Sequence, residues 1–310
     1  MLNGWATLYD LHRLRLLLEL HRRGTLSAVA QALSYSTSTI SQQLSQLETE
    51  VGVELLQPAG RRVRLTPQAQ ILVGYAEILV GQMEAAEAAI AHSLAELTGT
   101  VRIATYQTAF LDLVSDLLTD MDRAYPRLRI EVVQDEPQSA LPRMTAHEFD
   151  LVIVEEFPHH PLSQDPGIDY QELMKDRLWI ALPADARVTT DAVWDHVAGR
   201  PWAVEPLGTA SRDWIHMSCR EAGFEPDIRY TTADLLVQRQ LVTDGHAVAV
   251  LPDLLGPVSG PGIALLDFPS GPQYRKIMTA TRRDATGHPA VQACRNALAL
   301  ACDRRRKPPT

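Results

Sequence analysis

The chain has 310 residues, 45% of them hydrophobic and 22% charged, enough for two or three domains with a core each. No apolar run approaches the roughly 20 residues that span a bilayer, because the best stretch, Leu14 to Leu20, is broken by Arg15 and Glu19. Net charge is −9, yet residues 1–66 hold seven arginines against five acids, a balance of +2 that leaves −11 for the rest; phosphate contact is expected at one end only.

Residues 8–66 read as a compact helical head. Leu11, Leu14, Leu18 and His21 fall at helical spacing and Gly24 stops that first helix. Ser27 is the expected N-cap of a short second helix, Ala28 to Leu33. A third helix starts at Thr37 behind the cap residue Ser36, buries Ile40, Leu44, Leu47 and Val51, and ends at Gly52. Its other face carries Thr37, Ser38, Thr39, Ser41, Gln42, Gln43, Ser45 and Gln46, all polar and uncharged. A merely solvated face would carry Lys and Glu, and Thr and Ser are mediocre helix formers. Hydroxyls and amides that both donate and accept suit base edges and phosphates in a major groove. A turn at Pro58 to Gly60 and the alternation Arg62-Val63-Arg64-Leu65 read as a hairpin or wing. Its Arg61, Arg62 and Arg64 can reach backbone or minor groove. The predicted DNA contacts are Ser36, Thr37, Ser38, Thr39, Ser41, Gln42, Gln43, Arg61, Arg62 and Arg64.

Order and spacing over this head resemble the winged helix-turn-helix of LysR-type transcriptional regulators. The carrying residues are Gly24 to Leu33, Ser36 to Leu44, Leu47-Glu48, Val51 to Leu56 and Gly60 to Thr66. The resemblance implies that Ser36 to Gln43 begin the recognition helix. The chain departs from the family at Gln42, where Arg or Lys is frequent, at Thr37-Ser38 in place of Gln-Pro, and at Gln57-Pro58 in place of Glu-Arg; these positions bear on which DNA sequence is preferred.

Residues 67–97 read as one long helix, with Thr66 as cap and Pro67 in the first position, where the missing N–H costs nothing. Leu72, Ala76, Leu79, Met83, Ala86, Ile90, Leu94 and Leu97 recur near the coiled-coil period. They predict a homodimer seam about 46 Å long. The resemblance implies the same use of this segment, and pairing of dimers into tetramers.

Residues 98–303 alternate strand and helix, hence α/β. Strands are predicted at 100–105, 128–133, 151–154, 178–182, 202–204, 228–231, 247–251, 263–266 and 275–281, and helices at 109–125, 139–147, 190–198, 209–222, 233–244 and 289–303. The resemblance implies a two-lobed effector domain built like a periplasmic binding protein. Lobe one would hold about 98–175 and 268–303, and lobe two about 176–267. Residues 304–310 read as a disordered basic tail.

Ligands of open α/β sheets bind beyond the carboxyl ends of strands, against helix N-termini. That rule nominates Thr105, Gln107 and Thr108, then Gln134 and Asp135, Glu155 and Glu156, Glu205, Gly208, Thr209 and Ser211, and Asp244 with His246. The block we expect to contact an effector is Thr105, Gln107, Thr108, Glu155, Glu156, Gly208, Thr209 and Ser211. The family resemblance favours Thr105, Thr108 and Thr209 within it. The acids suggest a polar or amine-bearing effector, since an anion would be repelled.

Cys219, Cys294 and Cys302 form no Cys-x-x-Cys pair, and the adjacent His159 and His160 have no spaced third ligand, so no metal site and no cofactor are expected. The chain has no Gly-x-Ser-x-Gly, His-Glu-x-x-His, Walker or Gly-x-Gly-x-x-Gly motif. The expectation is therefore a cytoplasmic, non-enzymatic regulator that partners double-stranded DNA, a small effector, its own copies and RNA polymerase, with no membrane. Two alternatives stay open: a regulator whose C-terminal domain only oligomerises, and a ligand-binding or enzymatic α/β protein.

Overall fold

In the computed structural model, the described residues are 9–33, 35–59, 62–93, 96–162, 165–256 and 261–306. Two compact units result, residues 1–93 and 94–310, and each is taken by itself.

The first unit opens with α1 (Leu11–Arg23), capped by the Asp10 carboxylate and closed by left-handed Gly24. Next come α2 (Leu26–Leu33) and α3 (Thr37–Val51), then the antiparallel hairpin β1 (Leu56–Ala59) and β2 (Arg62–Leu65). The helix α4 (Pro67–Ser93) closes the unit. Leu14, Leu17, Leu18, Val29, Ile40, Leu44 and Leu47 make its core, with Ala69, Val73 and Ala76 of α4 packed in. The expected cap at Ser27 is wrong by two residues. The Thr25 hydroxyl accepts from the Ala28 N–H at 3.2 Å, so α2 starts two residues earlier than expected, at Leu26.

The stripe on α4 divides. Leu72 and Ala76 pack against the domain's own helices, an element the seam argument left out. Ile71, Tyr75, Ile78, Leu79, Met83 and Ile90 are exposed. Leu97 belongs to the core of the second unit, and Leu94 lies outside the described residues.

The second unit follows the expected alternation. It runs through β3 (Gly99–Thr105), α5 (Gln107–Ala124), β4 (Leu128–Gln134), α6 (Pro137–Thr145) and β5 (Leu151–Glu156) into the long β6 (Ile168–Pro183). Then come α7 (Val193–Val197), β7 (Pro201–Val204), α8 (Ala210–Glu221), β8 (Asp227–Thr231), α9 (Leu235–Thr243), β9 (Ala249–Pro252) and β10 (Ile263–Leu266). The return strand β11 (Gln273–Arg282) and the helix α10 (Pro289–Arg306) complete the unit.

One seven-stranded sheet runs β10-β6-β11-β5-β3-β4, with β9 also on β6. β3 pairs parallel with β4 and β5, whereas β6 and β11 pair antiparallel along ten residue pairs with one register shift. These two strands are the spine from which both lobes hang. The parallel pair β7-β8 lies beyond it, bridged to Val248 through Trp202.

Two sequence expectations fail here. Only 178–182 of β6 was expected, because 168–177 is rich in charge and lacks clean alternation. And α10 continues through Arg306, so Arg304 to Arg306 are helical rather than part of a tail. Arg304 pairs with Asp120 at 2.8 Å and Arg305 with Asp112, acids of α5 that neutralise them; residues 307–310 lie outside the described residues.

Candidate functional sites: a polar helix face and a buried carboxyl cluster

In the head, Ser36 caps α3 by accepting from the Thr39 N–H at 3.0 Å. Its hydroxyl also meets those of Ser38 and Thr39 at 2.7 and 2.8 Å. Thr37, Ser38, Ser41, Gln42, Ser45 and Gln46 are exposed along one side of the helix, and the opposite side buries Ile40, Leu44 and Leu47. Gln43 differs from its neighbours, because Arg13 of α1 donates to its side-chain carbonyl at 3.0 Å and also pairs with Glu50. Its amide orientation is thereby fixed, leaving the NH2 end to donate. Glu48 accepts from the Leu55 and Leu56 N–H groups at 2.8 and 3.0 Å, which ties α3 to the start of the wing. Arg64 is exposed on β2; Arg61 and the Arg62 side chain lie outside the described residues.

In the second unit the strand register assembles a charged cluster. Arg275 on β11 stands directly across from Asp176 on β6, while Glu155 on β5 faces Ile277, two residues along. Such diagonal neighbours share a face. Arg275 is 2% exposed. It donates to Asp176 from Nε at 2.8 Å and from its fork at 2.7 Å, pairs with Glu155, and donates to the Thr108 hydroxyl at 2.7 Å. Asp176 also accepts from the Leu254 N–H at 3.0 Å. The guanidinium lies 5.3 Å from the centre of the Tyr106 ring.

Two more carboxyls join from the carboxyl ends of β4 and β7. Glu136 stands at the N-terminus of α6 without capping it. Glu205 is 7% exposed. Burial raises the Glu136 carboxyl to about 7, helped by Glu155 and Asp135 and opposed by Arg275. Burial likewise raises Glu205 to about 8, helped by Glu155 and Glu136, opposed by Arg275 and by a hydrogen bond with Thr209. Glu155 and Asp176 are raised by burial and pulled back by Arg275. For Arg275 itself burial works against the charge, but Glu155 and Asp176 outweigh it and the group stays protonated. Burial thus raises all four carboxyls, and Arg275 opposes the rise in each of them.

The structure separates the sequence-nominated residues. Thr108 and Glu155 are in the cluster. Thr105 is fully buried at the end of β3, 3.4 Å from the Tyr106 carbonyl, with no face toward a ligand. Gln107 is already used at both polar ends: its amide donates to Asp234 at 2.8 Å and its carbonyl accepts from the Leu235 N–H at 2.8 Å. It joins the start of α5 to the start of α9. Glu156 points off the other face of β5, where it pairs with Lys276 at 2.7 Å. Gly208 takes a left-handed conformation before α8, φ 90°, Thr209 caps that helix and hydrogen-bonds Glu205, and Ser211 is buried in its first turn. Asp135 is held by Arg143 at 2.6 Å. Reading the sequence missed Tyr106, Glu136, Asp176 and Arg275. Tyr106 stands immediately after β3 and Glu136 two residues past the end of β4, and the last two pair across strands whose register the sequence does not show.

The family model of the LysR substrate binding domain matches residues 94–303, and that of the bacterial regulatory helix-turn-helix protein, lysR family, matches residues 11–70. A probable hydrogen peroxide-inducible genes activator of Mycobacterium leprae is 28% identical over 286 residues, covering 89% of each chain. The HTH-type transcriptional regulator PtxR of Pseudomonas aeruginosa is 25% identical over 259 residues, covering 79% of this chain and 77% of that one. Among solved structures, a full-length OxyR variant from Pseudomonas aeruginosa shares the fold with a TM-score of 0.69 at 19% identity, over 94% of this chain and 95% of that one. Full-length CbnR complexed with its target DNA shares it with a TM-score of 0.52 at 18% identity, over 94% and 99%. The chain belongs to the LysR family: it is a LysR-type transcription regulator, with a DNA-binding helix-turn-helix and an effector-binding domain, and not an enzyme.

Proposed function

We propose that α3 reads a DNA major groove through Thr37, Ser38, Thr39, Ser41, Gln42 and Gln43, with Ser36 fixing its start and the arginines of the wing, Arg61, Arg62 and Arg64, on flanking phosphate or minor groove. The observation that carries this reading is the exposed, uncharged polar face of α3 beside a fully packed opposite face. Groups that donate and accept discriminate base edges, whereas Lys would bind any phosphate. The exposed apolar side of α4, from Ile71 to Met83, is the homodimer seam in this reading. It would present two recognition helices to two half-sites, and dimers would pair into tetramers that act on RNA polymerase in the cytoplasm. No described helix is long and apolar enough to cross a membrane.

The second unit, in the same reading, binds a polar, amine-bearing effector between its lobes, beside Thr108, Glu155, Thr209 and Ser211. A shift between lobe arrangements then alters DNA binding, driven by the effector's differential affinity for the two. A thiol-based peroxide response, suggested by the names of some relatives, has little support here. Cys219, Cys294 and Cys302 are all buried, and burial pushes the Cys219 and Cys294 thiols up to about 12. Peroxide reacts with the thiolate, and these two carry almost none at neutral pH.

The test is fluorescence anisotropy of purified full-length protein on the DNA upstream of its own gene, against a scrambled duplex, over a salt series. Specific, salt-sensitive binding that Ser41→Ala/Gln42→Ala weakens at least tenfold is expected. Equal affinity for both duplexes at every salt would reject the reading.

A further inference from the structure

We propose that Arg13 is a positioning residue for DNA recognition: it holds the side-chain carbonyl of Gln43, so that Gln43 enters the major groove as a donor alone and selects a keto base, guanine or thymine, over adenine or cytosine. This rests on the reading of α3 as the recognition helix and specifies what one of its residues reads.

The geometry is a chain of three side chains across two helices. Arg13 of α1 donates from Nε to Gln43 Oε1 at 3.0 Å, and its fork pairs with Glu50, further along α3. All three residues are partly buried. Arginine has five donors and no acceptor, so the Gln43 amide can face it in one way only, with the oxygen toward Arg13 and the NH2 group left for another partner. Gln42 and Gln46, exposed on the same helix, can offer either end of their amides. Gln43 cannot turn its oxygen to a base without breaking the bond to Arg13.

Charge is not what Arg13 supplies. Glu50 neutralises it, and the pair together adds no net attraction for phosphate. What remains is orientation. A glutamine already held in place also loses less rotamer freedom on binding than one that must be ordered by the DNA. Both effects act at one base and not along the duplex as a whole.

The base edges supply the other half. In the major groove guanine presents N7 and O6 and thymine presents O4, all acceptors, while adenine and cytosine present amino donors at N6 and N4. A glutamine free to turn holds adenine by two bonds, its carbonyl to N6 and its N–H to N7. At Gln43 the amino group of adenine or cytosine would have to share the oxygen with a guanidinium N–H, one donor crowding another. A keto oxygen meets the free N–H groups directly. Guanine, with two acceptors side by side, fits best and thymine next. Release of the carbonyl from Arg13 should admit adenine again.

The experiment uses the full chain and the DNA upstream of its gene. Each base pair of the bound half-site is replaced in turn by the other three, and every duplex is measured by fluorescence anisotropy with wild type, Gln43→Ala, Arg13→Met and Glu50→Gln. We expect one position per half-site at which the wild type prefers a keto base by about fivefold or more, the low end for a good base contact. Gln43→Ala should remove that preference and leave the other positions as they are. Arg13→Met should reduce it about threefold or more by admitting adenine, with the salt slope unchanged. Glu50→Gln, which loosens Arg13 without removing it, should move the same ratio in the same direction by less. Urea unfolding checks that each variant is folded.

An amino base preferred at the Gln43 position, no position that responds to Gln43→Ala, or a keto preference that survives Arg13→Met would overturn the proposal. So would an equal loss on every duplex in Arg13→Met with a salt slope smaller by about one, the signature of a phosphate contact. If Arg13→Met fails to fold, an unchanged ratio in Glu50→Gln overturns it instead. Ser41→Ala/Gln42→Ala measured in parallel separates the cases. Lost specificity in that variant with no response to Gln43→Ala rejects only the assignment at Gln43, whereas equal wild-type affinity for every duplex rejects α3 as the reading helix and this proposal with it.

Discussion

The two units use polar residues in opposite ways. On α3 they are small, uncharged and left in water, while the stability of the head rests on Leu14, Leu17, Ile40, Leu44 and Leu47 beneath them. In the second unit they are charged and buried, and Arg275, Glu155 and Asp176 offset each other's desolvation cost. An exposed polar face can be substituted without disturbing the fold, so it is free to be chosen for its partner. A buried ionic cluster cannot, because removing one member strands the others. Stability is therefore separable from the exposed polar face in the head and tied to the charged cluster in the second unit.

The largest effect that can break this contrast is at Arg275. Arg275→Met leaves Glu155 and Asp176 buried and unpaired, and should cost about 3–5 kcal/mol in urea unfolding. Adding Glu155→Gln and Asp176→Asn should return a large part of that loss. A loss under 1 kcal/mol in the single variant would mean that the cluster is solvated and the contrast false.

A middle-sized effect is pH dependence. The folded Glu205 carboxyl sits at about 8 against an ordinary 4.5, so the folded state binds the proton more tightly than the unfolded state. Its contribution is fully present below about pH 4.5 and is lost as pH rises through about 8. Glu136 behaves alike, with its upper limit at about 7. Glu205→Gln should then be more stable than the wild type at pH 8.5, and the difference should shrink toward pH 5. Parallel stability curves for the two proteins across that range would contradict the assignment.

The smallest effect belongs to the head. Ser36→Ala removes the cap of α3 and should cost about 1 kcal/mol, read as a small drop in urea midpoint with unchanged slope. A drop several times larger would show that the polar face of α3 also holds up the fold.

The sequence made the head legible because its signals are local. Ser36, Gly52 and the Ile40-Leu44-Leu47 face each declare themselves within a few residues, whereas Pro58 and Ala59, expected in a turn, lie in β1 and pair with Val63 and Arg62. Where it misled, a competing local partner decided: Thr25 rather than Ser27 caps α2, and the head's own core takes Leu72 and Ala76 from the α4 stripe. The cleft was half legible. Thr108, Glu155 and Glu205 follow from the rule that sites gather at strand ends. Arg275 and Asp176 stand 99 residues apart in the chain, and only the β6–β11 register brings them together. Gln107 was chosen for its position after β3, and its engagement with Asp234 and Leu235, more than 120 residues away, has no trace in the sequence. Glu156 was grouped with Glu155 by adjacency, although adjacent strand residues face opposite ways.

The most direct measurement takes stability and specific DNA affinity on the same sample of Ser41→Ala/Gln42→Ala. The account predicts a urea stability within about 0.5 kcal/mol of the wild type, as for exposed surface changes, together with at least a tenfold loss of specific affinity and an unchanged affinity for scrambled DNA. Full specific affinity in a stably folded variant would contradict it, and α3 would not be the element that reads DNA.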